Sequence, residues 1–177
     1  MNWANRITIL RILLIPLFVG ALIYGHPNRA FWIFTVAVLT DAIDGYIARV
    51  HSQKTILGSF LDPLADKLLL TTAFVSLAII DNLPIRLPAW IPLIVISRDI
   101  IIILGATLIH MTTGKLEIKP SFLGKLTTFF QMLTIIGLLL CLPWIHYIWM
   151  IMILFTILSG WDYTQRGMRL LASEQIQ

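Results

Sequence analysis

The sequence is poor in charge and nearly empty of cysteine. Only 12% of its 177 residues are charged, about half of the roughly 25% found in an ordinary soluble domain, while 58% are hydrophobic. So little polar surface cannot wet a compact soluble fold, and a mean hydropathy of +0.88 makes lipid the expected solvent for much of the chain. The low hydrophobicity that disorder requires is absent, and so is the periodic charge of a coiled-coil rod. The single cysteine, Cys141, lies in an apolar run and cannot form an internal bridge, which excludes a disulfide scaffold. No repeat or low-complexity linker divides the chain, so the sequence predicts one membrane-embedded domain over residues 1–177. Its 13 Lys+Arg against nine Asp+Glu leave a net charge of +4. In so apolar a chain this excess points to membrane orientation rather than to nucleic acid.

What is present is long apolar runs. A helix needs roughly 20 apolar residues to cross about 30 Å of hydrocarbon, and six segments approach that length: Ile7–Tyr24, Ala30–Ala48, Leu61–Ile80, Trp90–Ile109, Phe122–Leu142 and Ile145–Tyr163. The breaks carry turn chemistry, with Gly25-His26-Pro27-Asn28 after the first, Asp81-Asn82-Leu83-Pro84 after the third and Pro143 between the last two. No small-residue cleavage site follows Tyr24, so the first run reads as a retained span and not a signal peptide. The start, Asn2 to Arg11 with Trp3, reads as an amphipathic segment along the membrane before that span. The fold class is therefore an all-α integral membrane bundle of about six transmembrane helices. A cytoplasmic N-terminus puts Arg6, Arg11, Arg49, Lys54, Lys115, Lys119, Lys125, Arg166 and Arg169 inside and only Arg29 and Arg86 outside. By the positive-inside rule both termini are then cytoplasmic.

Ionisable groups in spans are costly and by default functional. Four of the nine acids, Asp41, Asp44, Asp62 and Asp66, fall at the end of the second span and the start of the third. At helical spacing Asp41, Asp44 and Ala48 share one face, and Gly58, Asp62 and Asp66 another. A short connection makes the two helices antiparallel neighbours, so the acidic faces converge at the cytoplasmic surface. Four carboxylates so close need positive charge. Arg49 and Lys67 offset part of it, but a dense all-oxygen cluster suits hard divalent cations, and two bridged ions would clamp phosphate oxygens. A purely structural reading makes these residues interfacial helix caps paired with Arg49, Lys54 and Lys67. Four acids with Gly45 and Gly58 at these spacings go beyond what that explains. A glycine beside a carboxylate lets a ligand approach the backbone, although small residues also serve helix packing in membranes.

The run Asp41-x-x-Asp44-Gly45-x-x-Ala48-Arg49, eight residues, then Gly58-x-x-x-Asp62-x-x-x-Asp66 resembles the signature of the CDP-alcohol phosphotransferases, membrane enzymes of phospholipid synthesis. Asn5-x-x-Thr8-x-x-Arg11, Ser97-Arg98-Asp99 and Lys119-Pro120-Ser121-Phe122-Leu123-Gly124-Lys125 extend the resemblance over roughly residues 2–135. It implies a six-helix bundle, usually a homodimer, in which a CDP-linked lipid binds in a cytoplasm-facing cavity, an acceptor hydroxyl attacks the β-phosphorus and CMP leaves. It further implies that Asp41, Asp44 and Asp62, with a share from Asp66, hold two Mg²⁺ or Mn²⁺ ions. Asp66 would be the base, and Gly45, Ala48, Arg49 and Gly58, with Asn5 and Thr8, would shape the CDP site. The residues alone leave open whether Asn5 and Arg11 touch substrate or anchor the first segment. The chain has no convincing Ser-His-Asp set, and His26, His51, His110 and His146 fall near span ends or loops.

The acceptor reading turns on Arg98, inside the fourth span. A buried arginine fork suits phosphate, so Arg98 with Lys119 or Lys125 is expected to receive an anionic acceptor; the alternative is an internal ion pair with Asp99 or Asp41. An anionic acceptor favours glycerol 3-phosphate or phosphatidylglycerol over choline, ethanolamine or serine. Ala106, where glycerophosphate enzymes of the family commonly carry a second arginine, and Thr127, where they carry a lysine, lean toward the cardiolipin branch; base rate keeps glycerol 3-phosphate first. A cation transporter, the rival class, would spread its acids along a path and not gather them at one membrane face.

Overall fold

The structure, a computed structural model, describes the backbone of residues 3–51, 56–81, 83–113 and 121–174, and side chains at 8–40, 64–109 apart from 82, 111 and 121–169. All regular structure among the described residues is helical: α1 Trp3–Ile23, α2 Pro27–His51, α3 Ile56–Ile79, α4 Trp90–Thr113, α5 Phe122–Leu139 and α6 Ile145–Glu174. Among the described residues three stretches, Trp90–Ile109, Phe122–Leu139 and Ile145–Arg169, are long and apolar enough to cross a membrane, and Thr8–Ile23 is a shorter apolar helix.

Each helix matches one expected segment, but the ends differ. The expected amphipathic start is continuous with α1 from Trp3, α3 begins at Ile56 and not near Leu61, and α6 runs on to Glu174. Hydropathy marks the part of a helix that suits hydrocarbon, whereas the helix itself continues until its backbone is capped. Pro63 therefore lies inside α3 and not in its first turn. Its missing N–H removes one backbone bond, which a membrane helix tolerates.

The caps explain where the chain turns. Gly25 adopts φ +69°, and its N–H donates to the Leu22 carbonyl while His26 N–H donates to Ala21. This paired pattern is the Schellman ending, which needs a left-handed residue. Pro27 then opens α2 where a missing N–H costs nothing. The same motif ends α5: Cys141 N–H donates to Leu138 and Leu142 N–H to Gly137, with Cys141 held at φ 52°. A side chain there costs about 1–2 kcal/mol that glycine avoids. Cys141→Gly is therefore expected to stabilise the protein by roughly 1 kcal/mol, read as a raised thermal midpoint in detergent. A lowered midpoint would mean that contacts of the half-buried thiol outweigh the strain.

Two compact units make up the chain, one of Met1–Ala89 with Ile135–Leu142 and one of Trp90–Thr134 with Pro143–Gln177. In the first, α1 packs on α2 and α3. Fully buried Ala30, Ala37, Ala65 and Ala73 let backbones approach, as small residues do in membrane bundles, and Phe18 meets Phe34 with ring centroids 5.9 Å apart. In the second, α4 packs on α6, and Phe130 of α5 stacks on Phe155 of α6 at 5.1 Å. Its interior is unusually polar: Ser121, Thr127, Gln131, Thr156 and Ser159 are buried. Most of these hydroxyls bond within the bundle, Thr127 Oγ1 reaching the carbonyls of both Leu123 and Phe155 and Thr156 that of Met152. Outward-facing Leu13, Leu17, Trp32, Leu93, Ile103 and Leu104 are exposed, an apolar exterior suited to lipid.

Candidate active site

In the first unit the site begins with Arg11. It sits on α1, one turn after Thr8, and both side chains are essentially fully buried. A buried guanidinium demands a counter-charge, and Asp66 of α3 supplies it: Arg11 Nη1 donates to Asp66 Oδ1 at 2.5 Å. The pair is lopsided in burial, 1% exposed for Arg11 and 37% for Asp66. Arg11 thus grips one oxygen from the interior while the carboxylate stays accessible, which fixes the orientation of the acid without sealing it off. Arg11, one of the nine charges that the sequence puts inside, lies in the α1 ion pair, and the remaining eight against two keep the same sense of orientation. Arg11 belongs to the Asn5-x-x-Thr8-x-x-Arg11 run, but its partner lies 55 residues away and no local pattern points to it.

The other motif residues are placed by backbone. Asp41, Asp44, Gly45, Ala48 and Arg49 all lie in α2, and Gly58, Asp62 and Asp66 in α3, so the helical spacing behind the shared-face reading holds on both. The side chains of Asn5, Asp41, Asp44, Arg49 and Asp62 lie outside the described residues, as does Lys119 altogether. Among described side chains no cluster of three or more metal-binding groups occurs.

The second unit builds its own charged centre around Arg98. Of the two readings of this residue, the internal pair is present: Arg98 Nη1 donates to Asp99 Oδ1 at 2.9 Å, and both residues are buried. Nη2 donates to Ser159 Oγ of α6, and the guanidinium carbon lies 6.0 Å from the centre of the Tyr163 ring, at the limit of a cation–π contact. One polar atom is left over, since Arg98 Nε has no partner among the described residues. Ser121 caps α5 by accepting the Gly124 N–H, and this places Gly124 against the arginine. A Cβ on Gly124 would stand 3.2 Å from Arg98 Nη2 and 3.3 Å from Ser121 Oγ. Lys125, next in the chain, is exposed. Ser159, Tyr163 and Gly124 were not among the site residues expected from sequence; the four-residue spacing of Ser159 and Tyr163 on one face of α6 was the available signal.

Gly124→Ala should therefore push the Arg98 fork by a few tenths of an ångström. If Arg98 receives the anionic acceptor expected from sequence, the result is a few-fold rise in the KM for that acceptor with little change in expression or thermal midpoint. An unchanged KM would separate Arg98 from acceptor binding.

Comparison with known proteins fits this geometry. The family model described as CDP-alcohol phosphatidyltransferase matches residues 1–161, a stretch that takes in Arg11, the aspartate motif, Arg98 and Ser159. A protein of Mycobacterium tuberculosis named "Probable phosphatidylglycerophosphate synthase" is 33% identical over 180 residues, 95% of this chain and 82% of its own length. A Bacillus subtilis protein named CDP-diacylglycerol--glycerol-3-phosphate 3-phosphatidyltransferase is 33% identical over 189 residues, 94% of this chain and 95% of its own. Human cardiolipin synthase (CMP-forming) is 33% identical over 147 residues, 74% of this chain and 48% of its own. A match from the first turn of α1 into α6, with the acids of its motif on two continuous helices, leaves one conclusion: the chain belongs to the CDP-alcohol phosphatidyltransferase family.

Proposed function

We propose that the chain is a phosphatidyltransferase of phospholipid synthesis. It moves a phosphatidyl group from CDP-diacylglycerol to glycerol 3-phosphate, releasing CMP and giving phosphatidylglycerophosphate. It works as one multi-pass domain of six spans with both termini cytoplasmic and the site at the cytoplasmic face, as a homodimer. The observation that carries the reading is the Arg11–Asp66 pair, in which a buried cation presents a solvent-reachable carboxylate of the motif. Relatives named for this reaction align over nearly the full length.

The donor set of Asp41, Asp44, Asp62 and Asp66 is all hard oxygen at helical spacing on α2 and α3, which fits Mg²⁺ or Mn²⁺. Asp41, Asp44 and Asp62, with a share from Asp66, would hold two such ions, whose chemistry when bound is to neutralise the diphosphate. The protein's own groups do the rest. Gly45, Ala48 and Gly58 leave room for the nucleotide, with Arg49, Asn5 and Thr8 beside it. Asp66, aimed by Arg11, takes the acceptor's hydroxyl proton as its oxygen bonds the β-phosphorus and the bond to the CMP oxygen breaks. Arg98, with Lys119 or Lys125, receives the acceptor's phosphate.

One observation favours a second acceptor. Ala106 lies with Ile102, Gly105, Ile109, Tyr163 and Gly167 on a pocket of about 170 Å³, comparable to the roughly 150 Å³ apolar cavity that holds benzene. Where glycerophosphate enzymes commonly place a second arginine, this chain has hydrocarbon and shares Tyr163 with Arg98. That combination suits phosphatidylglycerol, as in a cardiolipin synthase. The test is CMP release from CDP-diacylglycerol with each acceptor, with and without chelator. Release with glycerol 3-phosphate, lost on chelation and restored by Mg²⁺ or Mn²⁺, is expected. Release with phosphatidylglycerol alone would overturn the acceptor, and release with neither would overturn the reaction.

A further inference from the structure

The turn that joins α1 to α2 lies at the end of the first unit away from Asp66, and there the two helices leave a groove of about 480 Å³, within the roughly 300–1,000 Å³ typical of ligand sites. Its wall is apolar: Pro16, Leu17, Gly20 and Ala21 of α1 with Ile33 of α2. Its mouth is polar, made by Tyr24, His26 and Arg29. The Schellman turn at Gly25 fixes this mouth, because His26 donates its N–H to the Ala21 carbonyl of α1 while its own carbonyl accepts the N–H groups of Arg29 and Ala30, and so ties the start of α2 to the end of α1.

Two features say what the groove holds. Gly20 has nothing within 4 Å of where a Cβ would stand, so the floor is open and not packed. Arg29 is exposed, and its guanidinium has no hydrogen-bond or acidic partner among the described residues. A lone cation at the end of a hydrocarbon-lined groove, flanked by the exposed aromatics Tyr24 and Trp32 that favour a membrane interface, is complementary to a phosphate joined to an acyl chain. A free phosphate would leave the apolar wall unused, and a choline headgroup would set a second cation beside Arg29. We propose that this groove binds one anionic phospholipid, its acyl chain along Leu17, Gly20 and Ile33 and its phosphate at Arg29 and His26, separate from the donor and acceptor of the reaction.

The test is native mass spectrometry of the detergent-purified full chain titrated with dioleoyl phosphatidic acid or dioleoyl phosphatidylcholine, neither of which is a substrate of the reaction proposed above. The wild type is expected to hold one phosphatidic acid at least ten times more tightly than the choline lipid. Arg29→Gln should reduce phosphatidic acid to the level of the choline lipid, and Gly20→Leu, whose Cβ enters open space, should weaken both by filling the floor. Asp66→Asn should leave binding unchanged. Equal binding of phosphatidic acid by the wild type, Arg29→Gln and Gly20→Leu would overturn the proposal, as would loss of the bound lipid in Asp66→Asn. Both results are independent of whether CMP is released.

Discussion

Asp66→Asn is expected to lower CMP release by roughly 10²–10⁴-fold, the usual contribution of a positioned acid or base, while the helices persist. Asparagine keeps an oxygen that can accept from Arg11 but loses the charge that stabilises a buried guanidinium. A hydrogen bond to a charged group is worth roughly 1.5–3 kcal/mol, and the 37% exposure of Asp66 lets water recover part of it. The thermal midpoint should therefore fall only modestly, so loss of fold would not explain the loss of rate. On the proposed reading Arg11 acts through Asp66, with which it is paired, and this has a signature. Arg11→Gln alone should lower kcat more than it raises the acceptor KM, and combined with Asp66→Asn it should add little further loss. Additive losses in the double variant would show that Arg11 has a separate role. Wild-type turnover in Asp66→Asn would remove Asp66 from the chemistry altogether.

The number and order of the helices were legible because each long apolar run is bounded by turn residues, and a run that can satisfy its backbone in hydrocarbon must be apolar and must be helical. Their ends were less so. Nothing in the apolar run around Cys141 marks it as the left-handed residue of a Schellman motif, since that position usually takes glycine. Gly25-His26-Pro27, by contrast, announced its turn through residue types that suit it. The site divides in the same way. Helical spacing put the four aspartates in two sets, because that relation is local. The Arg11–Asp66 contact joins α1 to α3 across 55 residues, and no local pattern predicts which buried arginine meets which acid. Arg98 shows both cases: its bond to the adjacent Asp99 was one of two readings open from sequence, whereas Ser159, 61 residues on, depends on how α4 packs against α6.

Arg98→Met is expected to be the most destabilising substitution in the second unit, and its rescue separates structure from function. Arg98 and Asp99 are 7% and 8% exposed; removing the arginine breaks a buried ion pair, a loss of up to roughly 3–5 kcal/mol. The bond to Ser159 Oγ goes with it. Arg98→Lys should recover little, because a single ammonium cannot span Asp99 and Ser159 in the fixed fork that guanidinium provides. Replacing the pair together is different, since a buried ion pair exchanged for apolar side chains of similar volume is often neutral in stability. Arg98→Met with Asp99→Leu should thus return the thermal midpoint close to that of the wild type. If Arg98 only braces α4 against α6, CMP release returns with it. If Arg98 binds the acceptor's phosphate, the refolded double variant stays impaired, with an acceptor KM raised at least tenfold and an unchanged KM for CDP-diacylglycerol. The second outcome is expected, because Arg98 keeps an Nε without a partner among the described residues, as do both amide atoms of the buried Gln131 in the same unit. Such an orphaned donor is costly in a bundle that gains nothing from it and is accounted for once an anionic ligand completes it.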